Sequence, residues 1–411
     1  MDPVTDSQFR VLRDSFARKG VNIEAALTPD DDIDYIYVVG QLLARGENVE
    51  RLLPAIPGLR RADGQPETGG LARLAIDQVA IDDREAGSLS VPDLLNLMDD
   101  RLPNRPGPEG EPLVTPVHIV HISKITPAGE PEVPSGYPTQ PWPAPPPTGG
   151  NCKKIGISDT GLQPNLRQYS WMTNVTGEDE PLGPVLPNGL RRIPTYAGHG
   201  TFAAGVAKCA APEAVIYVNN HFTESEGEAE DVIIQKLSQL IQSQQPDVVC
   251  LPAGLYTHND WEPLPFNQLR QMHPNITLVA SAGNDSTDRK FYPAAFDWVI
   301  GVGALATDQQ NRAWFSNHGD WVDVYALGEG LVNAFAFGEY TYNEPPKAPA
   351  KQTFDGMARW AGTSFSAPLV AGLIAREMVQ SSLSAADAAR ALLNQAQAHA
   401  IPGVGPVLFP P

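Results

Sequence analysis

Four short stretches of the sequence carry side chains that suit acyl transfer. In chain order these side chains are Asp159, His199, Asn284 and Ser364. Asp159 ends an apolar run, and His199 lies between two glycines. Asn284 follows a glycine at a turn, and Ser364 stands at the start of an apolar helical stretch. Because open α/β sheets place their sites at the carboxyl ends of the strands, these positions are typical of a functional centre.

The chemistry that these side chains fit is nucleophilic attack on a carbonyl carbon. A serine hydroxyl is a weak nucleophile until a base takes its proton, and histidine suits that role near neutral pH. A buried carboxylate such as Asp159 holds the imidazole in one tautomer and stabilises the imidazolium. The start of a helix offers backbone amides to an oxyanion, and Asn284 offers a second donor. Each residue alone fits a turn, a cap or a surface position, but their joint occurrence favours a site.

At these positions the sequence resembles the subtilisin-like serine proteases, over residues 153–409. Asp159-Thr160-Gly161 is similar to the aspartate motif of that family, and His199-Gly200-Thr201 to its histidine motif. Gly362-Thr363-Ser364 is similar to its serine motif, and Ala282-Gly283-Asn284 to the segment with the oxyanion asparagine. The chain order Asp, His, Ser is the one known for subtilisin.

The resemblance implies a serine endopeptidase that acts on a protein or peptide substrate through an acyl-enzyme. It assigns Asp159, His199 and Ser364 to a catalytic triad and Asn284 to the oxyanion hole. The chemistry then requires no cofactor. Structural calcium is common in this family, but the sequence assigns no residues to it.

The sequence departs from the family pattern at several positions. Phe202 stands where a second histidine is frequent, and Leu327 where proline is usual. A Pro-rich insertion surrounds residues 342–351, and Pro252 lies in the segment that is similar to the substrate-pairing strand. If the amide at position 252 normally pairs with substrate, proline removes one hydrogen bond, which affects specificity.

Two other functions compete with this one. An aspartic protease built on Asp159-Thr160-Gly161 needs two such carboxylates, and the chain holds one copy, so it would have to be a homodimer. A catalytically silent binding protein would keep the fold but has no need of all three triad residues. The intact motifs favour the serine peptidase over both.

The elements around the motifs predict a parallel sheet. Short apolar strands alternate with helices after residue 150, which favours a doubly covered α/β sheet. We predict strands at 154–158, 215–219, 248–251, 277–280 and 298–302, and helices at 232–244 and 366–380. The fold class is therefore α/β, a subtilisin-like parallel sheet with helices on both faces, preceded by a small α+β domain.

The chain divides into three parts. Residues 1–125 predict the small α+β domain, with strands at 35–43, 71–79 and 114–122 and helices at 48–56 and 90–102. A first amphipathic helix with Phe9, Leu12 and Phe16 has the pattern of a loosely attached segment. Residues 126–150, with nine prolines, predict an extended linker, less readily a proline-rich partner motif. Residues 151–411 are predicted to form the domain that resembles these proteases, called the protease domain below. The first domain resembles the pro-domains of the family, which inhibit their own enzyme as in a zymogen; an unrelated recognition or regulatory domain is the alternative.

The composition disfavours some classes of binding partner and indicates a cellular location. The 411 residues carry a formal net charge of −19, which disfavours nucleic acid and anionic membrane surfaces. The sequence contains no run of 18 apolar residues, so it predicts no membrane-spanning helix. The charged first 25 residues lack the apolar core of a secretory signal, so we expect a cytoplasmic protein, with export by another route left open. Three cysteines rule out a disulfide framework and are expected to be buried thiols.

Overall fold

The structure is a computed structural model of the 411-residue chain. It describes residues 3–56, 58–62, 70–76, 90–101, 112–122, 129–135, 140–145, 152–164, 168–222, 227–344 and 346–411.

The N-terminal domain is an antiparallel sheet with three helices. Its elements are α1 (Pro3–Arg18), β1 (Ile23–Leu27), β2 (Ile33–Arg45), α2 (Gly46–Ala55), β3 (Leu59–Arg61), β4 (Leu71–Ile76), α3 (Val91–Arg101) and β5 (Val114–Ile122). The helix at α3 begins as predicted, because the Ser90 hydroxyl accepts a hydrogen bond from the Asp93 amide at 3.2 Å. The expectation of a loosely attached first helix is wrong, since Leu12 and Phe16 are buried against the sheet.

The protease domain follows with a larger set of elements. They are β6 (Lys154–Asp159), β7 (Val175–Gly177), β8 (Arg192–Ile193), α4 (His199–Ala210), β9 (Val215–Asn220), β10 (Gly227–Ala229), α5 (Glu230–Gln244), β11 (Val248–Leu251), β12 (Ala253–Gly254), α6 (Leu264–Met272), β13 (Leu278–Ser281), β14 (Ile300–Leu305), β15 (Val324–Leu327), β16 (Leu331–Thr341), β17 (Lys351–Trp360), α7 (Thr363–Gln380), α8 (Ala385–Ala398) and β18 (Val407–Leu408). Two short 3₁₀ turns lie at Ser170–Met172 and His258–Asp260.

Eight of these strands form one parallel sheet in the order β18-β15-β14-β13-β11-β6-β9-β7. The helices cover its two faces, and α4 packs against α7. That contact depends on small residues, because a Cβ at Gly372 would lie 2.6 Å from the Ala207 carbonyl oxygen. The predicted fold class is confirmed, and each predicted strand and helix of this domain has an observed counterpart whose ends lie within about three residues of the predicted ones.

Strands of the two domains pair with each other. The N-terminal sheet continues into the protease domain because β5 pairs antiparallel with β10 and with β12. Tyr256 and Phe291 of the protease domain also complete a hydrophobic cluster that otherwise consists of N-terminal residues. The N-terminal domain is therefore packed against the protease through both backbone pairing and apolar burial.

A long hairpin, β16 and β17, projects beside the parallel sheet and also pairs with β8. The sequence predicted an insertion here, around residues 342–351, but not the paired strands on either side of it. The described parts of the Pro-rich segment, residues 129–135 and 140–145, lie on this hairpin.

All three cysteines are free thiols. Cys209 and Cys250 are buried as expected, whereas Cys152 is exposed because it lies just ahead of β6. None of the helices described here is long and apolar enough to span a bilayer.

Candidate active site

Asp159 and His199 form the innermost contact of the site. Asp159 is the last residue of β6 and is fully buried, and His199 is the first residue of α4. The imidazole Nδ1 lies 2.8 Å from Asp159 Oδ1 and 2.9 Å from Oδ2. The Thr160 amide also donates to Asp159 Oδ1 at 2.7 Å. An acceptor pair at Nδ1 favours the tautomer with its proton there, which leaves Nε2 able to act as a base.

The glycines around His199 let β6 and α4 approach closely. A Cβ at Gly200 would lie 2.5 Å from the Gly161 carbonyl oxygen and 3.2 Å from the Asp159 Cβ. Gly198 has a φ of 90°, the left-handed region that glycine adopts without strain. A larger side chain at position 200 would push the histidine helix away from the aspartate strand.

Ser364 and Asn284 meet at the start of α7. Ser364 is the second residue of that helix, and Asn284 follows β13 at the carboxyl edge of the sheet. Asn284 Oδ1 accepts from the Thr363 amide at 2.9 Å and from the Thr363 hydroxyl at 2.8 Å. Because these bonds fix the oxygen of the side-chain amide, its nitrogen is the atom that could serve as an oxyanion donor.

One small pocket contains three of the four predicted residues. Its lining is Ile122, His199, Asn284, Trp360, Ala361, Ser364 and Phe365. Asp159 lies behind His199 and does not line it. The structure therefore brings all four predicted residues into one contiguous site, with the carboxylate on the protein side of the imidazole.

An aromatic wall holds the histidine ring. Trp360 meets it edge-on with centroids 5.4 Å apart, and Phe365 lies at 4.9 Å. Phe202, where the family often has a second histidine, packs behind this wall at 4.5 Å from Phe365. Sequence reasoning missed Trp360, although an aromatic residue four positions before the serine was a usable signal.

The N-terminal domain reaches into this pocket. Residues 119–122 at the end of β5 lie between β10 and β12, with His121 opposite Gly227 on one edge and Gly254 on the other. Ile122 then contacts the pocket beside Ser364. The Ser364 hydroxyl donates to the Pro252 carbonyl at 3.2 Å. Residues 119–122 of the chain thus lie where an extended substrate peptide could pair with β10 on one side and with β12 on the other.

A buried carboxyl, Glu180, supports the site from below. Its Oε2 accepts from the Gly198 amide and from Gln163 Nε2, both at 2.7 Å, and Thr160 also hydrogen-bonds to its side chain. Burial raises the pKa of Glu180 from 4.5 to about 8, the nearby Asp159 charge acts the same way, and the three hydrogen bonds oppose it. Glu180 is therefore largely protonated at neutral pH, and it lies close to His199 and Asp159. The polar loop around it gave no sequence signal.

Two of the polar contacts between the domains involve buried or nearly buried side chains. Arg73 makes a bidentate pair with Asp231, at 2.7 and 2.5 Å, with both side chains nearly buried. His118 Nδ1 lies 2.8 Å from Glu230 Oε1, and its Nε2 accepts from the His258 amide at 3.2 Å. Over the described residues, no cluster of three His, Cys, Asp or Glu side chains could hold a metal ion.

Comparison with known proteins places residues 150–405 in a family. A model described as the subtilase family matches residues 150–405. The intracellular serine protease of Paenibacillus polymyxa is 27% identical over 246 residues, which cover 56% of this chain and 67% of that protein. The major intracellular serine protease of Bacillus subtilis (strain 168) is 25% identical over 250 residues, covering 55% and 68%.

Among solved structures, fervidolysin from Fervidobacterium pennivorans, a keratinolytic enzyme related to subtilisin, has a similar fold. The TM-score is 0.55 at 15% identity, and the match covers 94% of this chain and 61% of that one. The matched part extends beyond the protease domain, so the similarity of fold includes N-terminal residues.

Proposed function

The chain belongs to the subtilase family and is a serine-type peptidase, and we propose that it is an endopeptidase whose catalytic triad is Asp159, His199 and Ser364. The observation that carries this proposal is the paired contact of His199 Nδ1 with Asp159, in a pocket that Ser364 also lines. A homodimeric aspartic protease has no support from a carboxylate that is fully buried behind an imidazole.

In this mechanism His199 Nε2 takes the proton of the Ser364 hydroxyl as Oγ attacks the substrate carbonyl. The hydroxyl, which donates to the Pro252 carbonyl in the uncut chain, must first turn to the imidazole. Asp159 stabilises the imidazolium, which then gives the proton to the leaving amine. Water repeats the sequence on the acyl-enzyme and restores Ser364.

Asn284 Nδ2 and the Ser364 amide are the proposed oxyanion donors. The two Thr363 bonds to Asn284 Oδ1 orient the side-chain amide before substrate arrives. Preorganised donors of this kind act on charge that develops only in the transition state.

A fluorophosphonate probe tests the nucleophile. The active protein should be labelled at Ser364, and Ser364→Ala should lose both labelling and peptide hydrolysis. Ser366→Ala is the matched control, because Ser366 lies two residues further along α7 and its hydroxyl donates to Ala326. Activity that survives in Ser364→Ala would contradict the assignment.

We further infer that residues 1–125 are a pro-domain that keeps the peptidase inactive until the chain is cut. The support is the position of residues 119–122 between β10 and β12, with Ile122 at the pocket. The described chain resumes at Gly129 beside Trp360, another residue of that pocket. The expected cut is therefore within residues 123–128.

Maturation of the purified full chain tests this inference. Wild-type protein should gain activity as a new N-terminus appears within residues 123–128, while Ser364→Ala should stay full length. N-terminal sequencing and hydrolysis of a peptide substrate follow the two events. Full activity of the uncut chain would favour the recognition or regulatory alternative instead.

Two of the relatives named above are called intracellular serine proteases, and we propose a cytoplasmic location here too. Fractionation of cells that produce the chain from its own gene tests this, and recovery in the medium would contradict it.

A further inference from the structure

Beyond the catalytic pocket the chain lies on the hairpin of β16 and β17. Residues 129–135 and 140–145, here called the arm, contain the described part of the Pro-rich segment. The polar contacts that hold the arm include one buried carboxylate, two pairs of backbone hydrogen bonds, one indole, the Tyr342 hydroxyl and Lys347.

Glu130 is the anchor of the arm. Its side chain is 5% exposed. Oε1 accepts from the Tyr340 hydroxyl at 3.0 Å and from the Asn343 amide at 2.9 Å, and Oε2 accepts from the Glu344 amide at 3.3 Å. Burial raises the pKa of this carboxyl, and the same hydrogen bonds oppose that change. A carboxylate that receives two backbone amides and a phenol is held in a site built for it.

The backbone of the arm pairs with both strands of the hairpin, through one isolated bridge from Glu132 to Arg359 in β17 and one from Trp142 to Val332 in β16. The Glu132 amide donates to the Arg359 carbonyl at 2.9 Å, and the Arg359 amide donates back at 2.7 Å. Trp142 and Val332 exchange a second pair, at 2.8 and 3.0 Å. Every one of these partners belongs to the protease domain.

The arm also lies next to the catalytic pocket. The Trp360 indole donates to the Gly129 carbonyl, and the same indole meets the His199 ring edge-on. β5 enters the pocket from one side and ends at Ile122, and the chain leaves the pocket on the side of Gly129, beside Trp360. When the attacked bond lies between Ile122 and Gly129, Gly129 is therefore on the leaving-group side of that bond.

We propose that the arm stays docked on the hairpin after the N-terminal domain is cut away, and that it then occupies the leaving-group side of the cleft. The enzyme therefore favours substrates with few residues after the scissile bond. This inference rests on the proposed peptidase function.

The covalent link between the arm and β6 explains why the arm can outcompete a substrate for binding to the hairpin. After a cut within residues 123–128 the arm remains covalently linked to β6, and a tether of this short length gives an effective concentration on the order of millimolar. A free peptide must exceed that concentration to take the backbone positions at Arg359. A peptide that ends just after the scissile bond needs none of them.

Hydrogen exchange tests the docking independently of catalysis. In the Ser364→Ala chain, residues 123–128 are replaced by the recognition sequence of a site-specific protease, and exchange at the Glu132 and Trp142 amides is measured before and after the cut. We expect rates after the cut within about threefold of those before it. In Glu130→Ala the rates after the cut should rise by about tenfold or more, as expected for loss of hydrogen bonds to a charged group.

Matched variants separate the anchor from general damage. Glu132→Gln keeps the backbone pair and alters a half-exposed carboxylate that faces Lys347, so its rates should equal those of the parent. Tyr340→Phe removes a single donor to Glu130 and serves as a milder change if Glu130→Ala lowers the yield of folded protein. Arm amides that exchange like an unstructured peptide after the cut would overturn the proposal.

Two substrates test the consequence for activity in the cut wild-type enzyme. One is a peptide aminocoumarin amide, and the other is a quenched peptide with the same residues before the scissile bond and about six after it. Glu130→Ala should raise kcat/KM for the long peptide by about threefold or more relative to the amide. An unchanged ratio overturns the proposal. Absence of hydrolysis of either substrate would instead count against the peptidase function, while the exchange result still decides whether the arm is docked.

Discussion

Glu180→Gln is the perturbation that most directly tests the electrostatics of the site. The protonated carboxyl of Glu180 and the amide of glutamine have the same shape, and both keep an oxygen that can accept from the Gly198 amide and from Gln163 Nε2. The substitution therefore keeps the contacts and removes one ionisation. It should change how stability depends on pH without disturbing the fold.

The magnitude follows from the pKa of the buried carboxyl. A pKa raised from 4.5 to about 8 means that the folded state keeps a proton that the unfolded state has lost between these pH values. Folding stability from this group is thus fully present below about pH 4.5 and is lost as pH rises to about 8. Each pKa unit corresponds to about 1.4 kcal/mol, so the loss reaches an order of magnitude of 5 kcal/mol. Glu180→Gln should not show it.

Urea unfolding between pH 5 and 9 (roughly the span of the two ionisations) measures the effect in the Ser364→Ala background, where self-digestion is absent. The free energy of unfolding of Glu180→Gln minus that of the parent should rise by several kcal/mol across this range. Other titrating groups are common to both proteins and cancel in the difference. Glu178→Gln, at an exposed position two residues away, is the control for the loss of a carboxylate as such, and the change for Glu180→Gln should be the larger of the two. A flat difference for Glu180→Gln would refute the assignment of a protonated Glu180.

Three further predictions concern catalysis and the domain interface. Asn284→Ala should lower kcat by about 10²–10³ with little change in KM, the loss found for such a donor in subtilisin itself; an effect confined to KM would contradict the oxyanion role. Gly200→Ala should lower kcat at least about tenfold, because its Cβ would meet backbone 2.5 Å away and separate the histidine helix from Asp159; normal kcat in that variant would show that the close approach is dispensable. Arg73→Ala should speed dissociation of the cut N-terminal fragment at least about tenfold in surface plasmon resonance, since it leaves the nearly buried Asp231 unpaired. Arg61→Ala, which breaks an exposed pair with Glu50, is its control, and equal effects of the two would contradict the argument.

The parts of the site that sequence could predict are those fixed by local pattern. Asp159 and Asn284 each follow a buried strand of a parallel sheet, and such strands end at one edge. His199 and Ser364 each begin a helix on that edge. Because all four positions follow from strand and helix boundaries, their meeting could be expected without knowledge of any long-range contact. The roles assigned to them stay predictions until the variants above are measured.

The parts that sequence could not predict depend on contacts between distant segments. Glu130 binds the amide of Asn343, 213 residues away, and nothing in the local pattern of a Pro-rich stretch indicates a docked strand. The strands β16 and β17 alternate imperfectly, since several consecutive residues from Asn333 to Ala336 are buried, so the period of two is hidden. Glu180 is likewise held by partners outside its own segment, Gln163 and Gly198, which lie 17 and 18 residues away.

The way β5 lies in the cleft has a consequence for which proteins can be cut. Residues 119–122 exchange backbone hydrogen bonds with β10 on one edge and β12 on the other, so a chain that replaces them must present both of its own edges. In a folded protein such a segment already uses at least one edge for its own sheet or helix. The rate of cleavage of a native protein should therefore follow how often a stretch of about four residues opens by local unfolding, and stable proteins should resist whatever their sequence.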